Sequence, residues 1–73
     1  MTYGQDRVYK KLEVIGVSQR GIEGAIEAAV LKAHQTLKGL SWFELEELHG
    51  HIGEDGQVKE YQAVIKVAFE VKD

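Results

Sequence analysis

Between Gly21 and Leu37 the apolar residues Ile22, Ala25, Ile26, Ala29, Val30, Ala33 and Leu37 recur at steps of three and four. That spacing marks one face of an amphipathic α-helix. Gln19, Glu23, Glu27, Lys32 and Gln35 fall on the opposite side. A single helix of this kind must lay its apolar face on a second layer, and the flanking segments read as strands, not helices. Ser18 is the expected N-cap and Gly39 the expected C′ residue. The small side chains Ala25, Ala29 and Ala33 predict a close approach of the helix to a sheet. Gly21 and Gly24 weaken the first turns by up to about 1 kcal/mol each relative to alanine.

Before the helix, Val8 to Gly16 reads as a strand, with Val8, Leu12 and Val14 on one face and Tyr9, Lys11 and Glu13 on the other. Lys10 interrupts the apolar set, as expected of an edge strand. After the helix a second strand runs from about Ser41 to Gly50 or Ile52. The turn residues Gly53-Glu54-Asp55-Gly56 follow. The third strand starts near Val58. Its odd positions (Tyr61, Ala63, Ile65, Val67, Phe69, Val71) suit a face packed on the helix. Its even positions are Glu60, Gln62, Val64, Lys66, Ala68 and Glu70.

A strand–helix–strand crossover within one sheet is parallel and right-handed, and a hairpin then makes the third strand antiparallel to the second. Placing the third strand between the other two makes every neighbouring pair antiparallel. The expected fold is therefore α+β: βαββ, a three-stranded antiparallel sheet in order 1-3-2 with one helix on one face. Residues 1–73 form one domain, with residues 1–7 expected as a loose arm. Equal parity across the hairpin requires an odd loop, Glu54-Asp55-Gly56, or a bulge near Gly50. With the three-residue loop, Trp42 falls opposite Ala68.

Trp42 and Phe43 are adjacent on a strand, so they point to opposite faces. One of them is expected in the core of the monomer and the other outside it. Pairing Phe43 and Leu45 with the odd face of the third strand leaves Trp42 on the outer face with Gln62, Val64 and Ala68. That face is expected to carry Trp42, Leu48, Val58 and Val64 with no helix to cover them. A patch of this kind marks an interface or a ligand site, and the residues alone leave Trp42 open as an interface anchor or a stacking platform. Trp42 and Gln62 lie about 20 Å apart at ~3.3 Å per residue, so only a second subunit would bring them together.

A chain of 73 residues buries only about 60% of the surface exposed by its unfolded form. Small domains of this size usually rely on disulfides, a metal or oligomerisation. The absence of cysteine removes disulfides, thiolate zinc sites and cysteine nucleophiles together, which leaves self-association as the expectation. The net charge of −3 gives no footprint for nucleic acid. No apolar run reaches the ~20 residues of a membrane span, and no signal-peptide h-region is present. The chain reads as soluble and cytoplasmic. His49 and His51 share a strand face with Glu47 but are read as a solvated rim, so no metal site is expected. Glu44 and Glu46 are read as solvated or salt-bridged, with no catalytic role.

The runs Val8-Tyr9-Lys10-Lys11, Gly16-Val17-Ser18, Ser41-Trp42-Phe43-Glu44, Lys59-Glu60-Tyr61-Gln62 and Val67-Ala68-Phe69 resemble the dodecin family over about residues 8–71. The resemblance implies a hollow homo-dodecamer of βαββ subunits that binds flavin without catalysis, for storage, sequestration or quenching of its photochemistry. It implies flavins paired on two-fold axes between symmetry-related tryptophans. By position, Trp42 would be the stacking residue and Gln62 the hydrogen-bonding partner of the isoalloxazine edge, with His49 and Ser41 as further flavin contacts. The implied flavin is riboflavin or FMN, with FAD also admissible, and some bacterial members bind coenzyme A. Many bacterial relatives carry arginine where this chain has His49, and often where it has Glu70. A neutral imidazole would hold a phosphate more weakly than a guanidinium. The alternative from another class is a purely structural self-assembling subunit without a small ligand.

Overall fold

The computed structural model describes residues 6–72. The elements run β1 (Tyr9–Ser18), α1 (Ile22–Thr36), β2 (Leu40–Ile52) and β3 (Val58–Glu70). They form one three-stranded sheet in the order β1-β3-β2. Both neighbouring pairs are antiparallel. This is the expected βαββ architecture. Most of the expected arm, residues 1–5, lies outside the described residues.

β1 starts one residue later than its alternation suggested and ends two later, because Val17 and Ser18 continue the ladder opposite Gln62 and Tyr61. Ser18 is therefore a strand residue and not the helix N-cap. Its hydroxyl accepts the Arg20 N–H at 3.0 Å and closes the turn out of the strand. The cap position belongs to Gly21, with φ 125° and ψ −173° and no side-chain cap. Only glycine takes that conformation without strain. At the far end Leu37 is already extended, and its N–H donates to Ala33 O at 2.8 Å. Gly39, at φ 75°, turns the chain two residues after this cap.

The core is small. Ala25, Ala29 and Ala33 of α1 are buried against Ala63, Ile65 and Val67 of β3. Val14, Ile26, Val30, Leu37, Leu40 and Tyr61 pack around them. The helix lies so close to β1 that a Cβ placed on Gly16 would collide with the Ala25 carbonyl oxygen and lie 2.9 Å from the Ala29 Cβ. The alanine stripe thus does what its spacing predicted. Ile65 and Val67 are the only large side chains buried almost completely among the described residues.

α1 packs mainly over β1 and β3 and barely touches β2. The radius of gyration is 15.3 Å, well above the ~11 Å expected of a compact chain of this length. The elongation follows from long strands flanked by only one helix. Leu12, Ile15, Val17, Trp42, Phe43, Leu45 and Leu48 all stay largely exposed. An isolated chain cannot cover them.

Candidate functional site

The ladder sorts side chains between two faces, since directly paired residues share a face. Tyr9, Lys11, Glu13, Ile15 and Val17 of β1 are opposite Glu70, Ala68, Lys66, Val64 and Gln62 of β3. On the other side of β3, Trp42 is opposite Ala68, Glu44 opposite Lys66, Glu47 opposite Val64 and His49 opposite Gln62. None of these residues lies under the helix. This outer face is the candidate site.

Trp42 stands at one end of it. The loop Glu54-Asp55-Gly56 has the expected three-residue form: Gly53 N–H donates to Gln57 O at 2.8 Å, and Gly56 N–H donates to Gly53 O at 2.9 Å. Gly56 has φ 83°, the left-handed position that such a loop needs. Two bulges of opposite sense follow, at Lys59 on β3 and at Glu46 on β2. They cancel, so Trp42 meets Ala68 as predicted. Between them the faces are exchanged. Leu48 pairs with Ala63, and Val58 joins Ile52, Gly50 and Tyr61 in a shallow apolar depression on the helix side. The expectation that Leu48 and Val58 sit on the outer face is therefore corrected; Trp42 and Val64 remain there. The adjacent polar pairs Glu46-Glu47 and Lys59-Glu60 were the available signals, because each breaks strict alternation.

Four side chains define the surroundings of the indole. Trp42 Nε1 donates to Glu44 Oε2 at 3.0 Å. Lys11 Nζ meets the same oxygen at 2.7 Å. The Lys11 ammonium, then the Trp42 N–H, hold the Glu44 carboxyl below its usual range. The Tyr9 ring lies 5.0 Å from the indole, centroid to centroid, tilted by 52°. Ser41 occupies a third bulge beside Trp42, and its hydroxyl donates to Gly39 O at 3.3 Å. Trp42 keeps 43% of its surface exposed.

Gln62 and His49 form a second cluster. Gln62 Nε2 donates to Glu60 Oε2 at 3.0 Å. That bond fixes the amide, so its carbonyl oxygen and one N–H remain for a ligand. His49 Nε2 lies 2.9 Å from Glu47 Oε1. Gln62 is six positions from Ala68 along β3, about 20 Å at strand rise. The structure thus unites His49 with Gln62, and Ser41 with Trp42, but does not bring the two pairs together within one chain.

Phe43 corrects another expectation. It does point to the helix side, opposite Val67, yet it remains 48% exposed. Because α1 is displaced toward β1, Phe43 instead lines an apolar groove of about 520 Å³ with Ile26, Val30, Leu31 and His34. Neither aromatic of the pair enters the core of the monomer.

A model of the dodecin family matches residues 8–72. This chain belongs to the dodecin family. Dodecin from Thermus thermophilus is 51% identical over 67 residues, which cover 92% of this chain and 96% of that protein. The crystal structure of an arginine-to-alanine variant of T. thermophilus dodecin has a TM-score of 0.86 at 50% identity, covering 93% of this chain and 100% of that one. Dodecin from Streptomyces davaonensis gives 0.87 at 32% identity, covering 94% and 100%. Dodecins are small, dodecameric, non-enzymatic flavin-binding proteins. No helix among the described residues is long and apolar enough to cross a membrane.

Within this dodecin-family chain, sequence reasoning had missed Tyr9, Lys11 and Glu44 as the surroundings of Trp42. Glu44 was legible in principle, being two residues from Trp42 on one strand face. Tyr9 and Lys11 needed the 1-3-2 order together with the register, which carry the far edge strand to within reach of the indole.

Proposed function

We propose that this chain binds a flavin without catalysing a reaction, storing or sequestering it in a homo-dodecameric shell. Trp42 stacks on the isoalloxazine ring. Gln62 of a second copy completes the pocket by hydrogen-bonding the polar edge of the ring, with His49 and Ser41 at the rim. The observation that carries this reading is an indole held by a hydrogen bond on a sheet face that no element of its own chain covers. The residues fit the ligand. An electron-rich indole suits an electron-poor flat ring, with ~0.5–1.5 kcal/mol from aromatic pairing beyond area burial. The Gln62 amide can accept and donate toward alternating carbonyl and nitrogen groups.

A bound flavin supplies a redox-active, photoexcitable ring; the stacked indole is a nearby donor able to quench its excited state. Trp42 and Gln62 lie too far apart in one chain to share a ring, so the site requires self-association, for which the exposed apolar residues of both faces provide the driving force. Riboflavin and FMN are the ligands of choice, and FAD fits the same ring recognition. His49 sets a weaker hold on phosphate than arginine would. Coenzyme A is a second candidate ligand, weakened by Glu70, an acidic group where relatives often carry arginine.

The test is a titration of riboflavin and of FMN with purified protein, following flavin emission, alongside sedimentation of the complex. Saturable quenching by an assembled protein supports the reading. An assembled protein that quenches neither ligand overturns the flavin function and leaves a structural shell.

A further inference from the structure

We infer that Glu44, clamped by Lys11, is a positioning residue that sets the plane of the Trp42 indole before any ligand arrives. The inference rests on the flavin reading above and adds to it a residue that need not touch the flavin.

An indole on an open sheet face can rotate about two side-chain torsions, and freezing them on binding costs affinity. Here the rotation is already restricted at three points. The indole N–H is tied to Glu44 Oε2 at 3.0 Å. That oxygen is itself held by Lys11 Nζ at 2.7 Å from the opposite edge strand, across β3. Tyr9 lies against the ring at a centroid distance of 5.0 Å. The small side chain of Ala68, in the ladder between Lys11 and Trp42, leaves room for this bridge. A carboxylate accepting an N–H bond is stronger than a neutral acceptor. Lys11 acts on Trp42 only through Glu44.

The charged groups facing Glu44 are Lys11 from β1 and Lys66, its direct partner on β3. On the same ladder row Glu13 also faces Lys66, and Glu46 of β2 meets Lys66 at 3.8 Å. The hydrogen bond from Lys11, then that from the indole N–H, with a smaller contribution from the Lys66 charge, hold the Glu44 carboxyl below the usual glutamate range. The indole bond therefore operates throughout neutral and mildly acidic conditions.

The experiment compares native protein with Glu44→Ala, Glu44→Gln, Lys11→Met and Glu46→Gln. Near-ultraviolet circular dichroism of the ligand-free protein reports the orientation of the single tryptophan. Riboflavin titration reports affinity, and sedimentation confirms that each variant is assembled. Glu44→Ala is expected to alter the tryptophan dichroism and weaken riboflavin several-fold, up to about tenfold, the cost of immobilising one freed side chain on binding. Glu44→Gln, whose amide oxygen can still accept the indole N–H, falls between Glu44→Ala and native. Lys11→Met, which leaves Trp42 and Glu44 in place, shifts both readouts in the same direction as Glu44→Ala. Glu46→Gln, losing an equal charge on the same strand, stays at native values. Native-like dichroism and affinity in Glu44→Ala overturn the inference while the flavin reading stands. Lost affinity with unchanged dichroism, or an equal loss in Glu46→Gln, also overturns it, because charge and not orientation would then be responsible. Changed dichroism with native affinity overturns the role in binding. Native protein that takes up no riboflavin overturns the flavin reading and this inference together.

Discussion

Replacing Trp42 by alanine should weaken riboflavin roughly 100-fold and leave the assembly intact. Trp42 exposes 43% of its surface in the single chain. For an aromatic side chain of ~200 Å² that is about 90 Å² free to be covered by a ring. At ~25 cal/mol/Å² this contributes about 2 kcal/mol. Aromatic pairing adds ~1 kcal/mol, for a total near 3 kcal/mol. Each 1.4 kcal/mol is about a tenfold change in Kd, so the expected loss is about two orders of magnitude. Assembly should survive because the alanine still pairs opposite Ala68 in the ladder and the groove around Phe43, Ile26 and Val30 is untouched. Emission titration with riboflavin and sedimentation velocity on the same preparation read the two effects separately. A loss smaller than about threefold would refute the stacking argument. Dissociation into monomers would instead show that the indole is chiefly an interface anchor.

Gly16→Ala should destabilise the protein by about 1–3 kcal/mol, the usual cost of over-packing, because the new Cβ meets Ala25 backbone and the Ala29 side chain; an unchanged denaturation midpoint would contradict the close approach of α1 to β1. Phe43→Asp should abolish the large assembly while retaining helix content, since it places a charge in an apolar groove that the single chain leaves open; a native sedimentation coefficient would show that this groove is not an interface. Lys59, then the Gln57 N–H, hold the Asp55 carboxyl below its usual range. Its folded value being depressed, its contribution is complete above the ordinary aspartate range and is lost as pH falls through the folded value. Asp55→Asn should therefore melt earlier than native at neutral pH, and the gap should close in acid; a gap independent of pH would reject the assignment. His49→Arg should raise affinity for FMN relative to riboflavin by about tenfold through a charge-assisted bond to phosphate; an unchanged ratio of the two affinities would place His49 away from the phosphate.

Strong local periodicity made much of this molecule readable. The three- and four-residue spacing from Ile22 to Leu37 marked α1, and the odd residues of β3 marked the helix-facing side of the sheet. The order 1-3-2 followed from connection rules together with the apolar length of the last strand. Ser18 was misread because a hydroxyl just before a helix looks like a cap whether or not the strand has ended. Only the pairing of Ser18 with Tyr61 shows that it has not.

The amino-acid sequence alone determined the elements, their order and the place of Trp42 on the outer face, since each depends on side-chain alternation or on short-range turn chemistry. Tertiary structure decided what alternation cannot express. Bulges at Glu46 and Lys59 exchanged the faces of Leu48 and Val58 and restored the register at Trp42, because one extra residue reverses parity and a second on the partner strand cancels it. The displacement of α1 toward β1 left Phe43 uncovered. The bond from Lys11 through Glu44 to Trp42 joins residues of opposite edge strands. Such contacts are set by how far side chains reach across a central strand as narrow as Ala68 allows, a distance that exists only once three strands lie side by side.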